Sequence, residues 1–120
     1  MKRIERTVTF CLDHDGEPIA LVPLANHSKP AKVFRDDLDR LVAAGYSDQW
    51  TFNKAGPPYS YVRCAVSNRR GNLVSVARLI LNAPSGRVVT YLDENRLNLR
   101  RDNLTLKPGN AKGVTSLARD

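Results

Sequence analysis

Nine arginines and two lysines fall in residues 61–120 of this 120-residue chain, against only four acids. Residues 1–60 hold eight Lys/Arg and eight Asp/Glu, so the whole formal charge of +7 belongs to the second half. The arginines stand in pairs, Arg69-Arg70 and Arg100-Arg101, with Arg87 and Arg96 beside them and Lys112 beyond. A guanidinium presents a planar fork of N–H donors that fits phosphate oxygens and guanine edges, which an ammonium cannot copy. This pattern implies a nucleic-acid footprint. The plainer alternative is a solvated surface that keeps a small protein soluble. Asn95 and Asn98, in the polar stretch between the arginines, carry amides that suit base edges or turns.

Little else in the chain offers chemistry. The two histidines, His14 and His27, lie far upstream and read as surface loop residues. No GxGxxG, phosphate-binding loop, GxSxG or HExxH occurs, so nucleotide-binding, serine-hydrolase and metalloprotease classes have no foothold. Cys11 and Cys64 sit in apolar, strand-like surroundings and are expected to be buried reduced thiols. Without a CxxC or a Cys/His cluster, a structural zinc site is not expected.

The segment from Arg78 to Leu104, RLILNAPSGRVVTYLDENRLNLRRDNL, carries an ordered set of residues. Ala77-Arg78-Leu79-Ile80, Asn82-Ala83-Pro84, Gly86, Val88-Val89, Asn95, Leu97, Arg100-Arg101 and Asn103-Leu104 follow one another at fixed spacing. In these residues the chain resembles the small phage and bacterial HNH endonucleases, which carry a segment like HRLIMNAPKGMVVDHINGNTLDNRRSNLR. Upstream, IALVPL, a helical stretch, the Trp50 strand and YSYVRCAV follow the family's order, so the resemblance covers most of the chain.

That family uses a divalent metal held by an aspartate and a later histidine or asparagine, with a histidine beside the aspartate as general base. The resemblance places Thr90 and Tyr91 where the Asp-His pair belongs. Threonine offers a metal only a neutral hydroxyl, and a tyrosine of reference pKa about 10 is protonated at neutral pH. Asn110 falls near the last ligand position. The resemblance therefore implies a catalytically inactive scaffold that binds double-stranded DNA without metal or cofactor, as a transcriptional regulator or a phage or mobile-element accessory factor. Its DNA contacts would be Arg69, Arg70, Arg87, Arg96, Arg100, Arg101, Lys112 and Asn95. Asn103 would tie loop to strand through side-chain to backbone hydrogen bonds. Specific recognition needs symmetry or a second reading element, which a homodimer would supply. Two alternatives stand beside this one. The first is a protein-interaction module or inhibitor on the same scaffold, using apolar surface. The second is a metal-dependent nuclease with an altered centre drawing on Asp93, Asp102, Asn110 and Tyr91.

The elements that must position these residues follow from local pattern. Residues 6–11 alternate polar and apolar, and Pro18–Leu24 is an apolar run, which together predict a hairpin; Pro23 favours an edge position. A loop through Asn26, Ser28 and Pro30 leads to an amphipathic helix with Val33, Phe34, Leu38, Leu41 and Val42 at helical spacing, stopped by Gly45. Its acids, Asp36 and Asp37, are expected near its N-terminal end, on an outer face turned away from DNA. Residues 49–52 and 59–66 predict a second hairpin, with Trp50, Tyr59 and Tyr61 as packing residues. Residues 73–81 predict a strand that turns into a short helix. For the rest of the chain the HNH resemblance implies a ββα unit, with strands at residues 87–92 and 104–106 about a polar loop at 93–101 and a closing helix at 110–118, which Gly113 and Val114-Thr115 make weak.

The fold expected is α+β: a single small domain with antiparallel hairpins, one amphipathic helix and a C-terminal HNH-like ββα unit. Residues 1–72 supply the first part and 73–120 the second. Hydrophobic content of 42% and charged content of 26% suit a soluble globular chain. No apolar run approaches the ~20 residues of a membrane span. The acids Asp13 and Asp15 soon after the first apolar stretch make a poor signal peptide, so a cytoplasmic location and no membrane partner are expected.

Overall fold

The computed structural model describes residues 7–54, 60–66 and 73–109. Three small antiparallel sheets and two helices make up these residues, an α+β arrangement. The first sheet joins β1 (Thr9–Leu12), β2 (Pro18–Leu24) and β3 (His27–Phe34) in that order. Helix α1 (Arg35–Ala43) follows at once. The second sheet orders β4 (Thr51–Asn53), β5 (Tyr61–Ala65) and β6 (Leu73–Ser75), and β6 runs directly into α2 (Val76–Leu81). The last is a hairpin of β7 (Arg87–Tyr91) and β8 (Leu104–Pro108), joined by a long loop that ends in a 3-10 turn at Arg101–Asn103.

Several local expectations are corrected. The stretch from His27 through Pro30 belongs to strand β3, which pairs with β2 from Leu24↔His27 to Ile19↔Phe34. Val33 and Phe34 complete that strand, so α1 begins two residues later, at Arg35. Pro23 lies in the central strand rather than at an edge. The ladder shifts register between Val22 and Leu24, and such a bulge removes the need for the N–H that proline lacks. Cys11 is exposed on the edge strand β1, whereas Cys64 is buried and its thiol is pushed up to about 12 by burial. The closing helix expected at 110–118 lies outside the described residues.

Trp50, Leu99, Val22, Val33, Val62, Val76 and Cys64 form the fully buried heart of the core. They come from the first two sheets, from α2 and from the β7–β8 loop, and Val89, Tyr91 and Leu104 of the hairpin strands join the same cluster, so the hairpin segment shares one core with the first part of the chain. Backbone bonds stitch the parts together. Lys32 donates its N–H to Leu97 O and accepts from Leu99 N–H, both at 2.7 Å, laying the loop along β3 as a parallel bridge. The Asn26 amide grips Phe52 as a strand would, donating to its carbonyl and accepting from its N–H, each at 2.8 Å. The two sheets are thus fastened at the β2–β3 turn.

Glu94 turns the start of the long loop at φ +61°, in the left-handed region, and its N–H donates to Tyr91 O at 2.9 Å. A non-glycine residue there carries a steric cost of about 1–2 kcal/mol. The HNH-like pattern has glycine at this place. Glu94→Gly is expected to raise stability by roughly 0.5–1 kcal/mol, net of the extra freedom glycine gains when unfolded. Urea unfolding of the two proteins checks this, and an unchanged or lower midpoint would contradict it.

Candidate nucleic-acid interface

The β7–β8 hairpin contains no carboxylate in either strand. Alternation turns Val89, Tyr91, Leu104 and Leu106 toward the core, and Val88, Thr90, Thr105 and Lys107 away from it. At the open end the ladder pairs Arg87 with Pro108 and Val88 with Lys107. Gly109 N–H donates to Gly86 O at 2.6 Å there, and a Cβ on Gly109 would come within 2.8 Å of that oxygen. The close approach requires glycine and holds Arg87 and Lys107 on neighbouring rungs at the hairpin's open end, on opposite sides of it. Both residues are exposed.

The long loop is fixed by its own amides. Asn103, buried, accepts from Asp93 N–H at 3.1 Å and donates through Nδ2 to the Asp93 carboxylate at 2.8 Å and to Asn98 O at 3.0 Å. Asp93 also takes Asn95 N–H at 2.8 Å and Asn98 Nδ2 at 2.9 Å. Burial would raise its carboxyl, but the amides of Asn98, Asn95 and Asn103 together bring it below the ordinary range. Asn95 accepts from Leu97 N–H at 3.0 Å, a turn-forming contact. Arg96 lays its guanidinium 4.5 Å from the centroid of the Tyr91 ring.

Arg100 is corrected from an exposed contact to a buried tie. Its side chain is 6% exposed and its guanidinium binds three carboxylates. It donates to Asp13, to Asp15 at 2.6 Å and to Asp102 at 2.8 Å. These bonds raise its pKa above the usual arginine value despite burial, those from Asp15 and Asp102 counting most. Burial alone would raise the Asp13 carboxyl, but His14 N–H, Arg100 and Lys32 hold it well below the carboxylate range. Asp13, His14 and Asp15 place ligand atoms within 4.8 Å of one another, yet both carboxylates are already bound by Arg100. Arg101, half-exposed, donates to Asp37 at 2.9 Å. Asp37 is itself 3% exposed, so the expected outward acidic face of α1 is corrected at this residue. Arg78 is likewise engaged, donating to the carbonyls of Arg87, Ala83 and Pro84 and so closing the turn after α2.

At Thr90, the first of the two positions that the sequence resemblance singled out, the hydroxyl shares a 2.6 Å bond with the Thr105 hydroxyl across the ladder. The Tyr91 ring is 6% exposed, inside the core. The carboxylate nearest in sequence, Asp93, is turned into the loop amides. These residues do not compose a ligand set for a divalent metal. Arg69, Arg70, Asn110 and Lys112 lie outside the described residues.

The structure therefore sorts the sequence-derived contacts. Arg87 is exposed, Arg96 is half-buried against Tyr91, Asn95 builds a turn, and Arg100 and Arg101 hold acids of the first half. Lys107 was missed, although its place one rung from Arg87 follows from hairpin register. The partners Asp13, Asp15 and Asp37 carry no sequence signal, since they lie 64 to 87 residues from the arginines they bind. The chain matches no family model, no curated protein and no solved structure at a significant level.

Proposed function

We propose that this protein binds double-stranded DNA through the open end of the β7–β8 hairpin and does not cut it. The observation that carries this reading is the pair of acid-free strands of the hairpin, whose open end lies away from the acids of its loop. Among the described residues, Arg87 and Lys107 stand on it exposed and without an ion-pair partner. Ion pairing within the fold consumes acids and arginines together and so leaves the formal charge of +7 unchanged. Such a surface draws duplex DNA by counterion release, with backbone contacts giving affinity and little sequence preference. Arg96 and Asn95, on the loop beside the hairpin, are the residues within this reading that approach base edges. The HNH resemblance supports the placement, and Arg69, Arg70 and Lys112 would extend the footprint. A transcriptional regulator or an accessory factor of a phage or mobile element is the role that fits a silent binder. Incubation of the full chain with duplex DNA and Mg²⁺ should give a retarded complex and intact strands on a denaturing gel; nicked strands would contradict the silent centre.

A second reading, a protein-interaction module, draws on a different surface. Phe10 and Val42 are 47% and 48% exposed, and with Val8 and Leu38 they line an open depression between β1 and α1. That surface shares no residue with the hairpin end, so substitutions at one leave the other intact.

A further inference from the structure

On the face of the second sheet that is turned away from the core, three polar residues form one row. The register pairs Thr51 of β4 with Arg63 of β5, and Arg63 with Ser75 of β6. Directly opposed side chains on antiparallel strands point the same way and lie about 4.5–5.5 Å apart at Cβ. Val62 and Cys64, which alternate with Arg63, are buried in the core. Arg63 Nε and Thr51 Oγ1 are both buried, and neither has a hydrogen-bond partner among the described residues. Ser75 Oγ accepts from Arg78 N–H at 3.4 Å and ends the row with a second hydroxyl.

Buried donors without acceptors are rare, because each forfeits its hydration with no return. Two of them on facing residues, one belonging to a cation, mark a position completed by an acceptor from outside the fold. No strand of this sheet carries an acid. We infer that Arg63 and Thr51 form an oxyanion site that takes a phosphate group. Rotation about the terminal torsions of Arg63 turns its Nε–Nη edge outward, where it donates to two oxygens. The same movement of Arg63 uncovers the Thr51 hydroxyl, which then donates to a third. A tetrahedral phosphate supplies three acceptors in such an arrangement, whereas a planar carboxylate has only two. The site shares no residue with the hairpin end and does not depend on the DNA-binding reading.

The phosphate group can be free or part of a nucleic-acid backbone, and the test separates these sources. The full chain and its Arg63→Gln, Arg63→Lys and Thr51→Val variants are titrated with sodium pyrophosphate at constant ionic strength, and separately with labelled duplex DNA. Fluorescence of Trp50, the chain's one tryptophan and the neighbour of Thr51, verifies that each variant is folded. Arg63→Gln is expected to weaken binding roughly tenfold, the worth of charge-assisted bonds. Arg63→Lys keeps the charge without the fork and falls between. Thr51→Val lowers phosphate affinity while raising the melting temperature of the free protein, because it deletes an unpartnered buried hydroxyl. A loss confined to pyrophosphate identifies a free phosphate group; a loss that includes DNA identifies a backbone phosphate. If Arg63→Gln changes neither affinity, the site is overturned.

Discussion

Arg100→Ala is expected to lower the stability of the fold by about 3 kcal/mol, read from urea unfolding at neutral pH. The guanidinium is the shared partner of Asp13, Asp15 and Asp102, and its removal leaves Asp13, whose side chain is 9% exposed, held only by Lys32 and His14. Breaking a buried pair by deleting one partner costs roughly 3–5 kcal/mol. The low end applies because Asp15 and Asp102, at 38% and 60% exposure, regain water. Arg100→Lys keeps one charge-assisted bond and should recover part of the loss. The same contact sets an acid limit. Asp13 titrates below its ordinary value of 3.8 in the folded protein, so its contribution is fully present above that pH. It is lost as pH falls through the folded pKa, and the acid limb of stability should flatten in Arg100→Ala. A variant as stable as the parent would show that Arg100 does not fasten the β1–β2 turn to the long loop.

The other large effect concerns binding. Arg87→Glu combined with Lys107→Glu should weaken duplex DNA binding roughly a hundredfold near 0.1 M salt and reduce the salt slope by about two, as expected for two lost phosphate contacts that become repulsive. Both side chains are exposed and without an ion-pair partner among the described residues, so the melting temperature should stay within about a degree of the parent. Charge reversal at Arg100 or Arg101 is a poor probe of DNA contact, because it breaks internal ion pairs first. If the double variant binds DNA as the parent does, the interface lies elsewhere, and a protein-interaction role through the Phe10–Val42 surface gains ground.

Much of the strand order was legible because period-two alternation survives in short segments. The strand-to-helix passage at Leu73–Leu81 follows from apolar spacing, whereas the strands Arg87–Tyr91 and Leu104–Pro108 were expected from the HNH resemblance. The residues from His27 to Pro30 misled because turn-forming types filled an edge strand, where one face meets water and proline is tolerated. The core role of Trp50 followed from its residue type and strand context; it is fully buried. The site was harder to foresee. Charge counting found a basic half but could not show that Arg100 and Arg101 are held by Asp13, Asp15 and Asp37, since long-range pairing leaves no local pattern. Nor did spacing reveal Arg63, whose unpartnered Nε is a property of the folded sheet.

The most direct test of the central claim is fluorescence anisotropy of the full chain with a labelled duplex across a salt series, with Mg²⁺ present and the DNA afterwards run on a denaturing gel. Binding that weakens steeply and linearly in log–log form, with every strand intact, is the predicted result. Absence of binding at low salt, or Mg²⁺-dependent cleavage, would contradict it.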